Sequence, residues 1–480
     1  MGVALSGASP SRPAAEERYA PSMGESRAAD SSGASASCAA PIAFNVLAKP
    51  TGAQCNLDCA YCFFVSKAML YPGSSFRMSE QVLDAHLRQL IEAQAQAPEV
   101  TIAWQGGEPT LMGVDFFARS LQIAAEHLRP GQSVKHTIQT NGTLIDAEWA
   151  RFFAENDFLV GISIDGPQAI HDAHRVTRGG RGSFHRVMRG LEHLRAAGVQ
   201  FNTLTTVHAA NAGHGGEVYR FLRDQCGSRF IQLIPIVERV VGETAGGTVP
   251  WSSWRDRPLY RQRGQAVTGR SITGTQYGRF LIDVFEEWVR RDVGTVFVQT
   301  FDVALANWLG LPPGLCVHSE TCGLGLALEH NGDLYACDHY VEPDYRLGNI
   351  MQTPLGELVR SERQRAFGAA KRDTLPSQCL RCEVRFACHG GCPRNRFISS
   401  VDGEPGLNWL CEGYRDLFTH IDRPMRVMAQ LLEDGQAPAQ IMAIYASEDA
   451  KRSRNDSCTC GSGLKWKRCH GQHAALRSHL

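Results

Sequence analysis

The distribution of cysteines constrains this chain of 480 residues more than any other feature of its sequence. Of its 16 cysteines, 14 fall into three groups, within residues 55–62, 316–411 and 458–469, and only Cys38 and Cys226 stand apart. Scattered structural thiols would not segregate in this way. Because the sequence shows no export route, we expect a reducing environment, where clustered cysteines bind metal more often than they form disulfides.

The composition excludes several classes of protein. Lys and Arg number 49 and so do Asp and Glu, so no net charge attracts nucleic acid or an anionic membrane. There is no apolar run of about 18 residues or more, which argues against a membrane span. Residues 1–40 lack a signal-peptide pattern and are rich in Ala, Ser, Gly and Pro, which predicts a disordered extension. A cytoplasmic protein is expected.

Residues 41–240 alternate between short apolar strands and helices with apolar residues at helical spacing. The predicted strands lie near residues 44–50, 100–105, 134–139, 158–164, 201–207 and 229–235. The predicted helices lie near residues 79–95, 114–128, 146–155, 183–197 and 215–225. Such alternation indicates an α/β fold with a parallel sheet. Six units predict an open partial (β/α)6 barrel rather than a closed barrel of eight units.

The rest of the chain divides into three segments of different character. Residues 241–315 are predicted to be a linker, with an aperiodic functional loop in its first part and an amphipathic helix over 276–292. A cysteine-rich domain over 316–445 follows, closed by a helical stretch near 414–445. A short Cys/His unit over 455–475 comes last.

The first cysteine group reads CNLDCAYC and places Cys55, Cys59 and Cys62 after the first predicted strand. Four thiolates saturate a [4Fe–4S] cluster, whereas three leave one iron with an open position. That iron can chelate S-adenosylmethionine (SAM), so that one electron cleaves the sulfonium and releases a 5′-deoxyadenosyl radical. A structural zinc site needs four ligands, and no fourth Cys or His is close in sequence. The triad therefore predicts a SAM-cleaving cluster.

This CxxxCxxC pattern, with an aromatic residue before its last cysteine, resembles the signature of the radical SAM superfamily. The segment GGEP at 106–109 is similar to a second motif of that family, and glycines at a strand end let the backbone approach a ligand closely. The resemblance implies that one set of residues contacts SAM: Tyr61, Gly106, Gly107, Glu108, Ser163 and Arg175.

The second group contains eight cysteines, at positions 316, 322, 337, 379, 382, 388, 392 and 411. Eight thiolates suit two fully ligated [4Fe–4S] clusters, and structural zinc ions could use the same ligands. The pattern resembles the SPASM domain of radical SAM peptide-modifying enzymes. That resemblance implies a first auxiliary quartet of Cys316, Cys322, Cys337 and Cys392. It also implies a second auxiliary quartet of Cys379, Cys382, Cys388 and Cys411.

A narrower resemblance, over residues 42–420, is to the anaerobic sulfatase-maturating enzymes. It is carried by LEHNGDLYACDHYV at 328–341, where Asp338 follows a cluster cysteine. The resemblance implies that Asp338 is a catalytic base and that a Cys or Ser of a sulfatase becomes Cα-formylglycine. It also implies three [4Fe–4S] clusters and an electron donor such as flavodoxin or ferredoxin. His339 is a rival base because its intrinsic pKa lies near neutrality.

The third group, CTCGSGLKWKRCH, resembles the SEC-C motif. Its ligand candidates are Cys458, Cys460, Cys469 and His470, which suit one tetrahedral Zn²⁺. A reactive dithiol tail is the alternative. The adjacent basic residues form either a docking face or a solvated surface.

Two other functions fit parts of the sequence. A SPASM-type maturase of another peptide, for example one forming a thioether crosslink, would keep the same clusters. An iron–sulfur electron carrier or a zinc-dependent adaptor would have no use for a SAM site. The open triad together with the GGEP segment argues against the carrier, and the Cys-Asp-His-Tyr context favours sulfatase maturation over crosslinking.

Overall fold

One ten-stranded sheet organises the computed structural model of the protein, which describes residues 44–241, 248–249, 260–458 and 463–468. The predicted extension over 1–40 lies outside the described residues. So do Cys460, Cys469 and His470 of the third cysteine group.

The centre of the sheet consists of six parallel strands that neighbour one another in chain order. They are β1 (Asn45–Lys49), β2 (Glu99–Trp104), β3 (Ser133–Thr140), β4 (Leu159–Ser163), β5 (Phe201–Val207) and β6 (Phe230–Pro235). Each begins and ends within a residue or two of the predicted strand. The predicted α/β fold with a parallel sheet is therefore confirmed.

Helices connect these strands and cover the sheet. They are α1 (Glu80–Ala93), α2 (Val114–His127), α3 (Ala147–Glu155), α4 (Gln168–Asp172), α5 (Phe184–Ala196) and α6 (Gly215–Arg220), the last continuing as a π-helical turn over Phe221–Gln225. Side-chain caps define where some of them begin. Ser79 caps α1 by accepting a hydrogen bond from the Val82 amide, and Asp146 caps α3. The apolar stripe of α1 is buried, as helical spacing predicts.

The aperiodic stretch after β6 contains a small sheet that the sequence does not predict. Its strands are β7 (Arg239–Val240), β8 (Thr248–Val249) and β9 (Ala266–Thr268), in the order β7-β9-β8. Strands of two or three residues are too short to show the alternation by which a strand is recognised. The interpretation of this stretch as loop alone is therefore corrected.

The cysteine-rich segment extends the same large sheet. Strand β10 (Phe297–Val298) pairs with β6, and β11 (Gly325–Glu329) runs parallel to the whole of β1 on the other side. Strands β12 (Asp333–Tyr335) and β13 (Arg346–Asn349) continue from β11 in antiparallel fashion. The turn after β12 is thereby brought close to the carboxyl end of β1.

The remaining helices surround the cysteines of this segment. They are α7 (Gly274–Arg291), α8 (Gln299–Trp308), α9 (Leu355–Arg360), α10 (Glu362–Asp373), α11 (Ser377–Leu380), α12 (Arg385–Cys388), α13 (Cys411–Glu433) and α14 (Ile441–Ala450). A two-stranded sheet of β14 (Arg396–Ser399) and β15 (Pro405–Asn408) precedes α13. The single helical stretch predicted near 414–445 is two helices, because Gly435 adopts a φ of 70° and Pro438 follows.

Short 3-10 turns complete the described secondary structure. They cover Val65–Leu70, Pro109–Met112, Cys316–His318, Asp338–Tyr340, Pro343–Tyr345, Pro393–Asn395, Pro438–Gln440 and Trp466–Arg468. Over the part of the chain that the structure describes, no helix combines the length and the apolar character that a membrane span requires.

Candidate active site and metal centres

Three buried thiols meet in the loop that follows β1. Burial raises the pKa of Cys55 to about 12, and the negative charges of Glu108 and Cys62 add to this effect. Burial also raises the pKa of Cys59 and of Cys62, and Cys59 is repelled by both of the other thiols. Thiols in such surroundings become thiolates only when a cation binds them. The three side chains therefore fit a metal cluster.

Asn141 holds the first of these cysteines from the neighbouring strand end. Its Nδ2 lies 3.7 Å from the Cys55 sulfur and donates to Asn56 Oδ1 at 2.8 Å. The Leu57 amide lies 3.4 Å from the same sulfur. Asn141 was not among the predicted site residues, although it belongs to the QTNGT segment that ends β3.

The glycines of the GGEP segment pack against the cysteine loop. The Gly107 amide donates to the Gly52 carbonyl at 2.8 Å, and a Cβ at Gly107 would lie 1.8 Å from the Gln54 carbonyl oxygen. Gly106 has a φ of 138°, which few other residues adopt. Glycine is therefore required here for backbone-to-backbone contact with the loop that carries Cys55.

The Glu108 carboxylate is fully buried and joins the ends of β2 and β3. Its Oε1 accepts hydrogen bonds from the hydroxyls of Thr110 at 2.6 Å and Thr140 at 2.7 Å, and its Oε2 accepts from the Asn141 amide at 2.7 Å. Burial raises the pKa of Glu108, and these hydrogen bonds oppose that effect. The same carboxylate thus fixes the segment that positions Asn141.

Tyr61 and Arg175 both donate hydrogen bonds to the carboxylate of Asp165, which was not among the predicted site residues. The Tyr61 hydroxyl donates to Asp165 Oδ2 at 2.5 Å, and Arg175 Nε donates to the same oxygen at 3.0 Å. The Thr206 amide donates to Asp165 Oδ1 at 3.0 Å. Burial alone would raise the pKa of Asp165, but the Arg175 charge holds it well below its usual range. The SIDG segment contains Asp165, and its position after β4 was the available signal.

Ser163 lies at the end of β4 but outside this group. Its hydroxyl accepts a hydrogen bond from Gln139 Nε2 at 3.0 Å. The structure therefore brings Tyr61 and Arg175 together on Asp165, whereas Ser163, two residues earlier in the chain, contacts Gln139 of β3.

Asp338 forms a buried ion pair with the last residue of β1. Lys49 Nζ lies 2.5 Å from Asp338 Oδ1, off the axis of an ordinary hydrogen bond, and 4.3 Å from the centre of the Phe64 ring. Burial would raise the pKa of Asp338, but the charge of Lys49 lowers it, so the carboxylate is deprotonated. Lys49 was not among the predicted residues. The pairing of β11 with β1 explains why the two residues meet.

His339, the rival base, faces the first auxiliary quartet instead. Its Nδ1 lies 3.7 Å from the Cys392 sulfur. Burial and the nearby Arg394 charge lower its pKa, so the imidazole is neutral. Its backbone carbonyl accepts a hydrogen bond from Gln262 Nε2 at 2.5 Å.

The eight cysteines of the second group lie in two sets, and the negative charges of the thiols within each set raise one another's pKa values. The pKa of Cys322 is raised by burial to about 11, with contributions from Cys316 and Cys392, and Cys337 is likewise raised by Cys392 and Cys316. These four are the first auxiliary quartet. The pKa of Cys411 is raised by burial to about 11, with contributions from Cys379 and Cys382.

The second auxiliary quartet also lines a cavity. The pKa of Cys388 is raised by burial to about 12, and by the charges of Cys411, Cys379 and Cys382. All four thiols border a cavity of about 170 Å³. Burial disfavours the thiolate forms of Cys379, Cys388 and Cys411, as it does for the thiols of the first cysteine group, so the positively charged iron–sulfur core of a cluster fits both quartets. Among the described residues, no three His, Cys, Asp or Glu side chains converge on a single-ion site.

The third cysteine group is described only in part. Cys458 is buried, and its amide donates to the Leu464 carbonyl at 2.9 Å. The Trp466 ring lies 5.9 Å from the guanidinium of Arg290 on α7 and 5.6 Å from that of Arg452. This segment therefore packs against the body of the protein.

Family models match three parts of the chain. The model described as the radical SAM superfamily matches residues 50–222, the iron–sulfur cluster-binding domain called SPASM matches 322–383, and the SEC-C motif matches 454–472. Each of these matches overlaps with one of the three cysteine groups.

Curated relatives and solved structures agree with these matches. A serine-type anaerobic sulfatase-maturating enzyme of Bacteroides thetaiotaomicron is 42% identical over 83% of this chain and 94% of its own length. A cysteine-type enzyme of Clostridium perfringens is 31% identical over 78% of this chain and 95% of its own length.

Among solved structures, native anSMEcpe with bound AdoMet and Kp18Cys peptide has a TM-score of 0.68 at 29% identity, covering 80% of this chain and 99% of that one. Streptococcus suis SuiB bound to its precursor peptide SuiA shares the fold alone, with a TM-score of 0.52 at 15% identity over 78% of this chain and 77% of its own. The chain belongs to the anaerobic sulfatase-maturating enzymes of the radical SAM superfamily.

Proposed function

We propose that this enzyme oxidises a Cys or Ser side chain of a sulfatase polypeptide to Cα-formylglycine. The observation that carries the proposal is the deprotonated Asp338, held by Lys49 at the strand end next to the SAM-site loop. Its relatives are named for maturating sulfatases, and a solved structure similar to this chain binds both AdoMet and a peptide.

Three sets of residues would hold the cofactors. Cys55, Cys59 and Cys62 would bind one [4Fe–4S] cluster with SAM, and each auxiliary quartet would bind another. When bound, these groups supply a carbon radical that removes a hydrogen atom and a route for the second electron. The SAM contacts of Tyr61, Gly106, Gly107, Glu108, Ser163 and Arg175 belong to this proposal.

Asp338 would serve as the base. Converting CH₂–OH to CH=O, or CH₂–SH to CH=S, removes one hydrogen atom, one proton and one electron from the side chain. Asp338 Oδ1 faces Lys49, which leaves Oδ2 to take the proton from the substrate hydroxyl or thiol. For a cysteine substrate, hydrolysis of the C=S group then completes the aldehyde.

Three further assignments complete the proposal. A small electron-transfer protein such as flavodoxin or ferredoxin would supply reducing electrons. The clustered cysteines support a reducing, cytoplasmic location. Cys458, Cys460, Cys469 and His470 would bind one Zn²⁺, as the SEC-C match supports.

Mass spectrometry of a reacted peptide tests the proposal. The reconstituted enzyme is incubated anaerobically with SAM, a reductant, and a peptide with a Cys-x-Pro-x-Arg or Ser-x-Pro-x-Arg core. We expect an aldehyde at the Cys or Ser position, detected by its mass and by reaction with a hydrazide. A crosslinked product without aldehyde would indicate thioether formation instead, and absence of 5′-deoxyadenosine would contradict radical SAM activity.

The variant Asp338→Asn tests the base. We expect it to keep its clusters and SAM cleavage while losing most formylglycine, because the amide cannot accept the proton. Product formation at the wild-type rate would remove Asp338 from the mechanism.

A further inference from the structure

The five-residue segment from Cys388 to Cys392 connects the two auxiliary quartets, and we call it the 388–392 bridge. Its three inner residues, His389, Gly390 and Gly391, have φ values of 46°, 71° and 62°. Gly390 and Gly391 adopt this conformation readily, whereas at His389 it is costly unless the surroundings hold the residue in place. Hydrogen bonds to this backbone would supply such support.

Arg396 binds all three inner carbonyls of the bridge. Its Nε donates to the Gly390 carbonyl at 2.9 Å, and one terminal nitrogen donates to those of His389 at 2.8 Å and Gly391 at 3.3 Å. Its other terminal nitrogen donates to the Lys371 carbonyl at 2.6 Å. The half-buried guanidinium thus lies between a cysteine of one quartet and a cysteine of the other.

Lys371 is a second cation beside the first auxiliary quartet. Its side chain is fully buried, and its ammonium donates to the carbonyls of Cys316 at 2.6 Å, Val317 at 3.0 Å and Ser319. The thiols with the largest electrostatic effect on the pKa of Lys371, those of Cys316, Cys322 and Cys392, all belong to that quartet. Arg396, in contrast, influences thiols of both quartets: Cys379, Cys388, Cys392 and Cys322.

Among the described residues, these two neighbouring cations have no acidic partner. Within the described ranges, no carboxylate lies within 4.0 Å of the Lys371 ammonium or the Arg396 guanidinium; both bind main-chain carbonyls. Burying like charges together is unfavourable unless an anion compensates them. A [4Fe–4S] cluster with four thiolates carries net negative charge, so the clusters themselves supply the countercharge.

We propose that Arg396 and Lys371 are positioning residues that set the reduction potentials of the auxiliary clusters. A fixed positive charge stabilises the reduced, more negative form of a nearby cluster and makes its potential less negative. Arg396 acts on both clusters from its place between the quartets, and Lys371 acts on the first alone. This inference rests on the cluster ligands assigned in the proposed function.

Redox titration of the reconstituted full chain, followed by electron paramagnetic resonance, tests the inference. The cluster whose signal changes on addition of SAM is the one at Cys55, Cys59 and Cys62, and the other two signals are auxiliary. The neutral variants are Arg396→Gln and Lys371→Gln, and the charge-preserving variants are Arg396→Lys and Lys371→Arg. Arg372→Gln, at the exposed neighbour of Lys371 on α10, is the matched control.

A specific pattern of shifts is expected. Arg396→Gln makes both auxiliary potentials more negative, whereas Lys371→Gln makes only one of them more negative. The charge-preserving variants and Arg372→Gln remain near the wild-type potentials. If these two side chains only packed against the clusters, the neutral and charge-preserving variants would not differ in potential. The two neutral variants would also not differ in the number of clusters that they affect.

Several outcomes would overturn the inference. They are unchanged potentials in the loaded neutral variants, equal shifts in Arg372→Gln, and equal shifts in the charge-preserving variants. If Arg396→Gln fails to bind iron, the comparison of the potentials of Lys371→Gln and Lys371→Arg decides. If neither neutral variant binds iron, the two cations have a purely structural role and the inference is wrong. Formylglycine formation is measured separately on the wild-type preparation, so a failure of the proposed function is distinguishable.

Discussion

At the scale of single residues, the buried ion pair between Lys49 and Asp338 is the most informative contact. Lys49→Met keeps much of the side-chain volume but removes the charge that orients the carboxylate and keeps it deprotonated. We expect formylglycine formation to fall about tenfold or more, which corresponds to about 1.4 kcal/mol or more in the activation barrier. SAM cleavage should persist, because Lys49 does not contact the cysteine sulfurs. Rates of product and 5′-deoxyadenosine formation measure the two effects.

A surface lysine provides the control for this variant. Lys135 pairs with the exposed Asp157 at 3.4 Å, and exposed pairs of this kind contribute little. Lys135→Met should leave both rates unchanged. A Lys49→Met enzyme that forms product at the wild-type rate would show that Asp338 is oriented without its partner.

Asp165 supports a second prediction at this scale. Asp165→Asn removes the negative charge that Tyr61 and Arg175 share and leaves the Arg175 charge buried without an anionic partner. Breaking a buried pair in this way costs about 3–5 kcal/mol. We therefore expect a lower melting temperature and weaker SAM binding, measured by thermal unfolding and equilibrium dialysis. Asp157→Asn on the surface is the control. An unaltered affinity of Asp165→Asn for SAM would show that Asp165, Tyr61 and Arg175 are not part of the SAM site.

The sign of the pH dependence follows from the lowered pKa of Asp165. Its stabilising effect is fully present above its ordinary pKa of 3.8 and is lost only as the pH falls toward the depressed value. The deficit of Asp165→Asn relative to wild type should therefore be constant near neutrality and should shrink in acid.

Which site residues the sequence predicts depends on how local their signal is. The cysteine triad and Asp338 are recognisable because each belongs to a short motif. Lys49 and Asp165 meet their partners from distant parts of the sequence: Lys49 resembles any strand-end lysine, and the position of Asp165 after β4 is its one weak local signal. Asn141 was missed for the same reason, since its contact is with Asn56 of another loop.

At the scale of elements, the crossing of α7 and α13 depends on glycine. A Cβ at Gly413 would lie 1.9 Å from the Gly274 carbonyl oxygen, and a Cβ at Gly278 would lie 2.7 Å from Gly413 Cα. Because α13 begins at Cys411, this contact fixes a cysteine of the second auxiliary quartet. The helices can approach so closely only without side chains at the crossing.

Gly413→Ala should separate these helices. Overpacking of this kind costs about 1–3 kcal/mol, and we expect a lower melting temperature together with reduced iron content as Cys411 moves. Gly216→Ala on α6 is the matched control, because a Cβ there meets the flexible Arg220 side chain, and alanine favours helix. Full iron content in Gly413→Ala would show that the quartet tolerates movement of α13.

Predictability at this scale follows the length of the elements. Strands and helices long enough to show a period, such as β5 and α5, lie where the sequence predicts them. The strands β7, β8 and β9 are too short to be recognised. The break between α13 and α14 has a local signal in Gly435 and Pro438, but the helical pattern on both sides obscures it. Pairing of β11 with β1 depends on distant segments and has no local signal.

At the scale of the whole molecule, the shared sheet joins the radical-forming and cysteine-rich segments. Since β11 lies along β1, the turn that carries Asp338 is placed beside the loop that carries Cys55, Cys59 and Cys62. The sequence predicts both segments, but as separate domains with a linker between them. The predicted domain boundaries at 240 and 316 therefore follow the order of the chain, but the large sheet continues across them.

The SEC-C segment, matched at 454–472, should be separable from this sheet in its metal content. We expect the full chain to bind about one zinc and about 12 iron atoms, the iron in three [4Fe–4S] clusters. A chain ending at Ala450, and the point variant Cys458→Ala, should lose the zinc and keep iron and formylglycine formation, because no cluster cysteine lies beyond Cys411. Cys226→Ala, at a buried cysteine outside the three groups, should keep both metals. Elemental analysis of the four proteins decides, and loss of iron on truncation would show that the contact of Trp466 with Arg290 supports the clusters.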